Sequence, residues 1–96
     1  MRSVYFEKEK IFLDHFWQHL FTKNWRDRTR RLRQYPCALD LIKNSHVEPI
    51  SRTNPNKKSE MLHRFSGINS NGVHFYVQIK EDKRSGEKHL MSIFPE

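Results

Sequence analysis

Ninety-six residues make one small domain, spanning 1–96, because a chain of this length buries about 60–70% of its extended surface and can close only one modest core. Lys and Arg outnumber Asp and Glu by 18 to 11, a formal charge of +7, while 12% aromatic residues argue against a disordered polyelectrolyte and a polyanionic partner is expected. A single cysteine, Cys37, excludes an internal disulfide, and there is neither a bilayer-length apolar run nor a signal-peptide pattern, so the expectation is a cytoplasmic protein with no membrane partner.

Ser3-Val-Tyr-Phe6 and Ile11-Phe-Leu13 flank the charged Glu7-Lys-Glu-Lys10. Aromatic and β-branched residues on both sides of a charged turn predict a short hairpin. A single helix from residue 4 is the alternative, disfavoured because Asp14 is a good helix N-cap directly after the pair. From Asp14 the period changes. Phe16, Trp17, Leu20 and Phe21 make one apolar helical stripe, with His15, Gln18, His19 and Thr22 on the other side, which predicts a helix over about 14–22.

Lys23 to Arg33 then holds six basic residues and one acid in eleven positions. Trp25 and Leu32, seven residues apart, are expected to anchor this run to the fold as a second helical stretch, fixing its guanidinium groups in space. Pro36 suits a first helical turn, and Cys37, Ala38, Leu41 and Ile42 form the apolar stripe of a helix over about 36–44. Cys37 on that stripe reads as a small core residue rather than a nucleophile. His46 to Ser59, with Pro49 and Pro55, reads as a polar loop.

Residues of about 60–94 predict a three-stranded antiparallel meander. Val73, Phe75, Val77 and Ile79 alternate with His74, Tyr76, Gln78 and Lys80, the period of a strand buried on one face. Asn71-Gly72 and Lys83-Arg-Ser-Gly-Glu87 supply the turns. The fold class is therefore α+β, with N-terminal helices packed on an antiparallel β-sheet whose core is this meander.

His15 and His19 stand four residues apart on one helix and share a face. As a metal pair they lack the Glu of a zinc-protease helix, and no Cys/His cluster of ligand spacing completes a site, so neither a metal nor another cofactor is expected. A bland pair of surface histidines and a general acid–base pair both remain open. RNA cleavage by attack of the ribose 2′-OH needs a base, an acid and cations around the phosphorane. His15, His19, His63, His74 and His89 are available for proton transfer, Arg28, Arg31, Arg64 and Lys80 for phosphate, and Tyr76 or Trp25 for base stacking. A two-metal nuclease finds no convergent acid set, and the three glycines do not form a phosphate-cradling loop.

The sequence also resembles a known family. A His-bearing first helix, an Arg-rich segment, a helix opening near Pro36, and terminal strands reading Glu60…His63-Arg-Phe-x-Gly67, Phe75-x-Val-Gln-Ile-Lys80 and Ser92-x-Phe-Pro95 resemble the small phage and prokaryotic barnase–EndoU–colicin–RelE-like ribonucleases over nearly the whole chain. That resemblance implies helices on an antiparallel sheet, metal-independent cleavage of RNA, and toxins countered by a cognate antitoxin or immunity protein. It implies a catalytic set of a helix His (His15 or His19), a cation (Arg31 or Lys80) and Ser92. A non-catalytic nucleic-acid module and a basic protein-interaction domain are the competing readings. If the His-bearing helix lies squarely over the apolar face of the sheet, its histidines point away from Lys80, and the two halves of the site can meet only at the sheet's edge or end.

Overall fold

The computed structural model describes residues 1–95. Chain order runs β1 (Arg2–Ser3), β2 (Glu9–Phe12), α1 (Asp14–Leu20), α2 (Trp25–Arg33), α3 (Tyr35–Asn44), β3 (Ile50–Asn54), β4 (Lys57–Ile68), β5 (His74–Asp82) and β6 (Lys88–Pro95). The strands form one six-stranded sheet in the order β1-β2-β6-β5-β4-β3. The meander is β4-β5-β6, all antiparallel as expected. The sheet as a whole is mixed, because β2 runs parallel to β6. This α+β architecture agrees with the fold class read from the sequence. No helix among the described residues is long and apolar enough to cross a membrane.

The alternation in β5 sets the two faces. Phe75, Val77 and Ile79 are buried beside Phe65 of β4 and Leu90 and Ile93 of β6. Phe16 and Leu20 of α1, Ala38 and Ile42 of α3, and Ile11 of β2 complete the core. Val73, expected on this face, precedes the strand and is 45% exposed. Leu90 and Ile93 are three residues apart, so strict alternation would send them to opposite faces. A bulge resolves this: Ile79 pairs with Leu90 while Gln78 pairs with Ser92, leaving Met91 unpaired in the ladder.

The N-terminal hairpin forms, but its turn is Val4–Lys8 rather than Glu7–Lys10: Tyr5 and Phe6, expected in the first strand, lie in the turn, which closes through Glu7 and Lys8 at positive φ. Asp14 is the first residue of α1 rather than its N-cap; Leu13 holds the cap position and no side chain caps the helix. The acid nonetheless lies in the first turn, where the helix dipole favours negative charge. The expected stripe of α1 is half right. Phe16 and Leu20 are buried, but Trp17 is 39% and Phe21 70% exposed, because the helix packs at the margin of the sheet and buries only a narrow strip.

The Arg-rich run is helical, capped by Asn24, whose side chain accepts from the Asp27 N–H at 3.0 Å. Its expected anchors fail. Trp25 is 68% exposed, Leu32 is 39% exposed, and α2 buries no residue. The helix is pinned instead by Arg31, whose Nη1 donates to Ser92 Oγ (2.9 Å) and to the Ile93 carbonyl (2.7 Å). The 46–59 segment is also not a loop throughout. It contains β3, the turn at Pro55-Asn56 and the start of β4, an edge hairpin carried by backbone pairing that needs no apolar pattern.

Candidate active site on the polar face of the sheet

Opposite the core, Arg64, Tyr76, Gln78, Lys80, His89, Ser92 and Phe94 are all half-exposed. Their register is fixed by the strand pairs Arg64↔Gln78, Lys80↔His89, Gln78↔Ser92 and Tyr76↔Phe94. What brings the helix histidines to this face is the shortness of β2. It pairs with β6 at Ile11↔Lys88 and Phe12↔His89 and then ends. Helix α1 takes over the vacated edge of β6. With Phe16 and Leu20 turned into the core, the other side of the helix meets the polar face. The halves of the site thus meet at the sheet's edge.

The result is an open groove of about 330 Å³ lined by His15, Gln18, His19, Thr22, Lys80 and Met91. Arg31 is tied to Ser92 next along β6. Burial lowers the His15 pKa below the ordinary imidazole value, and the positive charges of His89 and Lys80 add to this against the opposing pull of Asp14 and Glu60. Burial also lowers the His19 pKa, helped by Lys23 and Arg31. Both imidazoles are therefore held toward the neutral, proton-accepting form.

Two flanks differ in charge. Toward the far end of β6, the Arg64 guanidinium lies over the rings of Phe94 (5.4 Å) and Tyr76 (5.7 Å), which pack against each other at 5.5 Å. This basic-aromatic cluster suits a stacked base or a phosphate. At the other flank a second hollow of about 200 Å³ is lined by His15, Glu60, Lys80, Asp82, Glu87 and His89, among others. Glu60 is buried, accepts from Asn54 Nδ2 at 3.1 Å, and sits 3.3 Å from Lys80 Nζ and 3.5 Å from Lys57 Nζ. Burial works against its charged form but is outweighed by Asn54, Lys80 and Lys57, so its pKa falls. Lys80 is consequently part-neutralised before any ligand arrives.

Trp25 and Arg28 lie on α2, whereas Arg64 and Tyr76 lie on β4 and β5. Trp25 is open to solvent, and Arg28 Nε is shielded from solvent without a hydrogen-bond acceptor among the described residues. His63 and His74 leave the list of proton carriers. His63 is buried on the core side of the sheet between Ser51 Oγ (2.7 Å from Nδ1) and Glu81 Oε1 (2.8 Å from Nε2), with Phe6 packed edge-on against its ring. His74 stands exposed at the start of β5, paired with Ile68 and away from the groove. Glu60 joins the site, though no short motif marks it, and His89, one of the five candidate proton carriers, is stacked 4.0 Å from His15. Counting outward from a Lys83–Glu87 turn would have set His89 opposite Glu81, one residue off its actual partner Lys80.

Comparisons of the chain with protein-family models, with curated proteins and with solved structures return no match.

Proposed function

We propose that this protein is a metal-independent endoribonuclease of toxin type. The observation that carries the reading is the meeting of His15, His19 and Lys80 in one groove, from α1 and β5, with Arg31 anchored beside it at Ser92. His19, held neutral, accepts the 2′-OH proton as the 2′-oxygen bonds to phosphorus. His15, on the same helix face one turn away, acts in the fraction of molecules that carry both ring protons, giving one to the 5′-oxygen as its bond to phosphorus breaks. Lys80 and the N–H groups of Arg31 not bound to β6 stabilise the phosphorane. Ser92 is a positioning residue, because its hydroxyl accepts from Arg31 Nη1. Arg64 and Tyr76 bind the neighbouring nucleotide. A cytoplasmic location and a cognate antitoxin belong to the same proposal.

The test is incubation with total RNA in excess chelator. Fragments ending in 2′,3′-cyclic phosphate are expected, and His15→Ala and His19→Ala should each lower the rate by about 10²–10⁴-fold. Full activity in both variants would refute the acid–base pair. Intact RNA at high protein dose would refute cleavage and favour a non-catalytic RNA-binding module. That second reading draws on Phe21 and Trp25, 70% and 68% exposed around the Arg-rich helix, where aromatic stacking and charge suffice without chemistry. Failure to bind any nucleic acid at low salt would refute both.

A further inference from the structure

His89 is held between two carboxylates. Its Nε2 is 2.7 Å from Glu87 Oε1, and its Nδ1 is 3.4 Å from Asp14 Oδ1. An imidazole that carries both ring protons can donate to both carboxylates, whereas one that gives up its Nδ1 proton turns a lone pair toward Asp14. A metal ion there would take the place of that proton. His15 closes the triangle, with its Nε2 4.0 Å from Asp14 Oδ2 and its ring stacked 4.0 Å from that of His89. The donor atoms of Asp14, His15 and His89 all lie within 4.8 Å of one another.

The geometry points to a divalent transition-metal site formed by Asp14, His15 and His89, suited to Zn²⁺. Two imidazoles and a carboxylate are a donor set for zinc and its late first-row neighbours rather than for Mg²⁺ or Ca²⁺, which take oxygen ligands. Glu87 acts from outside the metal's ligand set. By accepting from Nε2 it fixes the tautomer that presents Nδ1 to the metal. Ligands around Zn²⁺ at about 2.0–2.2 Å require the triangle to tighten by a few tenths of an ångström per donor, and the His15 ring to swing out of its near-parallel stack. Asp14 is exposed and His15 half-exposed, so both can move without disturbing the core. Asp82 lines the same hollow and favours a cation there, whereas Glu60 is already paired with Lys80 and Lys57. The fourth position is left for water. The site stands on its own donors. One consequence rests on the cleavage reading: metal bound to His15 withholds that imidazole from proton transfer, so Zn²⁺ inhibits.

The experiment is calorimetric titration of chelator-stripped protein with Zn²⁺, paired with the visible spectrum of the Co²⁺ form. One ion per chain and tetrahedral Co²⁺ bands are expected. Asp14→Asn and His89→Gln should each weaken binding at least about 10-fold, and Glu87→Gln by about 10–100-fold, with folding checked by circular dichroism. His46→Gln and Cys37→Ser should leave it unchanged. Absence of one-to-one binding, equal binding in Asp14→Asn and His89→Gln, or loss in Cys37→Ser overturns the site. An RNA assay separates the two readings. Metal binding without any RNA cleavage sinks the nuclease and keeps the site, whereas chelator-resistant cleavage without metal binding does the reverse.

Discussion

Replacing Arg31 with Ala should release helix α2 while leaving the sheet intact. No side chain of the helix is fully buried, so the guanidinium is its main side-chain tie to the sheet. Arg31 Nη1 makes two hydrogen bonds to β6, at 2.9 Å to Ser92 Oγ and 2.7 Å to the Ile93 carbonyl. Bonds from charged groups are worth roughly 1.5–3 kcal/mol each when buried, and half-exposure reduces this to about 2 kcal/mol for the pair. The loss is local because α2 carries none of the core. Hydrogen exchange is the assay. Amides of residues 25–33 should exchange about 30-fold faster in Arg31→Ala, whereas those of β4 and β5 keep their protection. Ser92→Ala removes one bond and should give about 5-fold. If protection in α2 is unchanged, the guanidinium does not hold it. If β5 loses protection in parallel, the helix is part of the global unit and the reasoning fails.

The Ser51–His63–Glu81 chain, in which His63 is the buried member, predicts that His63→Ala costs about 3 kcal/mol, since it leaves Glu81 without its imidazole and removes the edge-on contact with Phe6; His74→Ala, at an exposed site, should fall within about 0.5 kcal/mol, and urea unfolding of both checks this. Gly67→Ala should cost about 1–3 kcal/mol, because a Cβ there would stand 2.6 Å from Phe75 Cζ and 3.1 Å from Leu41 Cδ2; a neutral result in the same assay would mean that the ring can step aside. The Asp82 carboxyl is held below its ordinary value by the N–H groups of Arg84 and Ser85, and that of Glu60 by Asn54, Lys80 and Lys57 against burial. Both groups bind protons less readily folded than unfolded. Their stabilisation is therefore complete above the ordinary carboxylate range and lost as pH falls through the lowered values. The urea midpoint should drop on acidification below about pH 4.5, and less steeply in Asp82→Asn; equal slopes would refute the turn's part in it.

The sequence shows β5 plainly because Phe75, Val77 and Ile79 each lose their solvent to one core, and period-2 burial is written directly into residue choice. Helix α1 is half legible. The division between Phe16 and Leu20 on one side and His15 and His19 on the other follows from spacing alone, and it places the histidines correctly. Which further aromatics are covered depends on the helix lying at an edge, and that depends on where β2 stops. Strand β3 was hidden because an edge strand held by backbone pairing to β4 needs no alternation, and Ile50-Ser-Arg-Thr-Asn54 has none. Trp25 and Leu32 misled because aromatic and apolar residues at helical spacing usually mark a buried stripe. Here a single arginine replaces that stripe. His89 and Asp14 are remote in sequence, so a search for ligand spacing within one helix could not find the pair.

One local irregularity ties the core to the groove. Without the bulge at Met91, either Leu90 or Ile93 would leave the core, and Ser92 or His89 would turn inward in its place. With it, both aliphatic residues are fully buried, while His89 stays opposite Lys80 and Ser92 opposite Gln78 on the polar face. Met91 itself is delivered to the wall of the His15–His19 groove. The bulge also separates two electrostatic halves. On the Ser92–Phe94 side stand Arg31 and Arg64, which favour a phosphate. On the His89 side stand the carboxylates of Asp14, Asp82 and Glu87, with Glu60 already paired to Lys80 and Lys57. His15 and Lys80 sit on the boundary and line both hollows. Under the proposed cleavage, the Arg31–Arg64 flank draws the RNA backbone and the scissile phosphate takes its place beside His19 and Lys80.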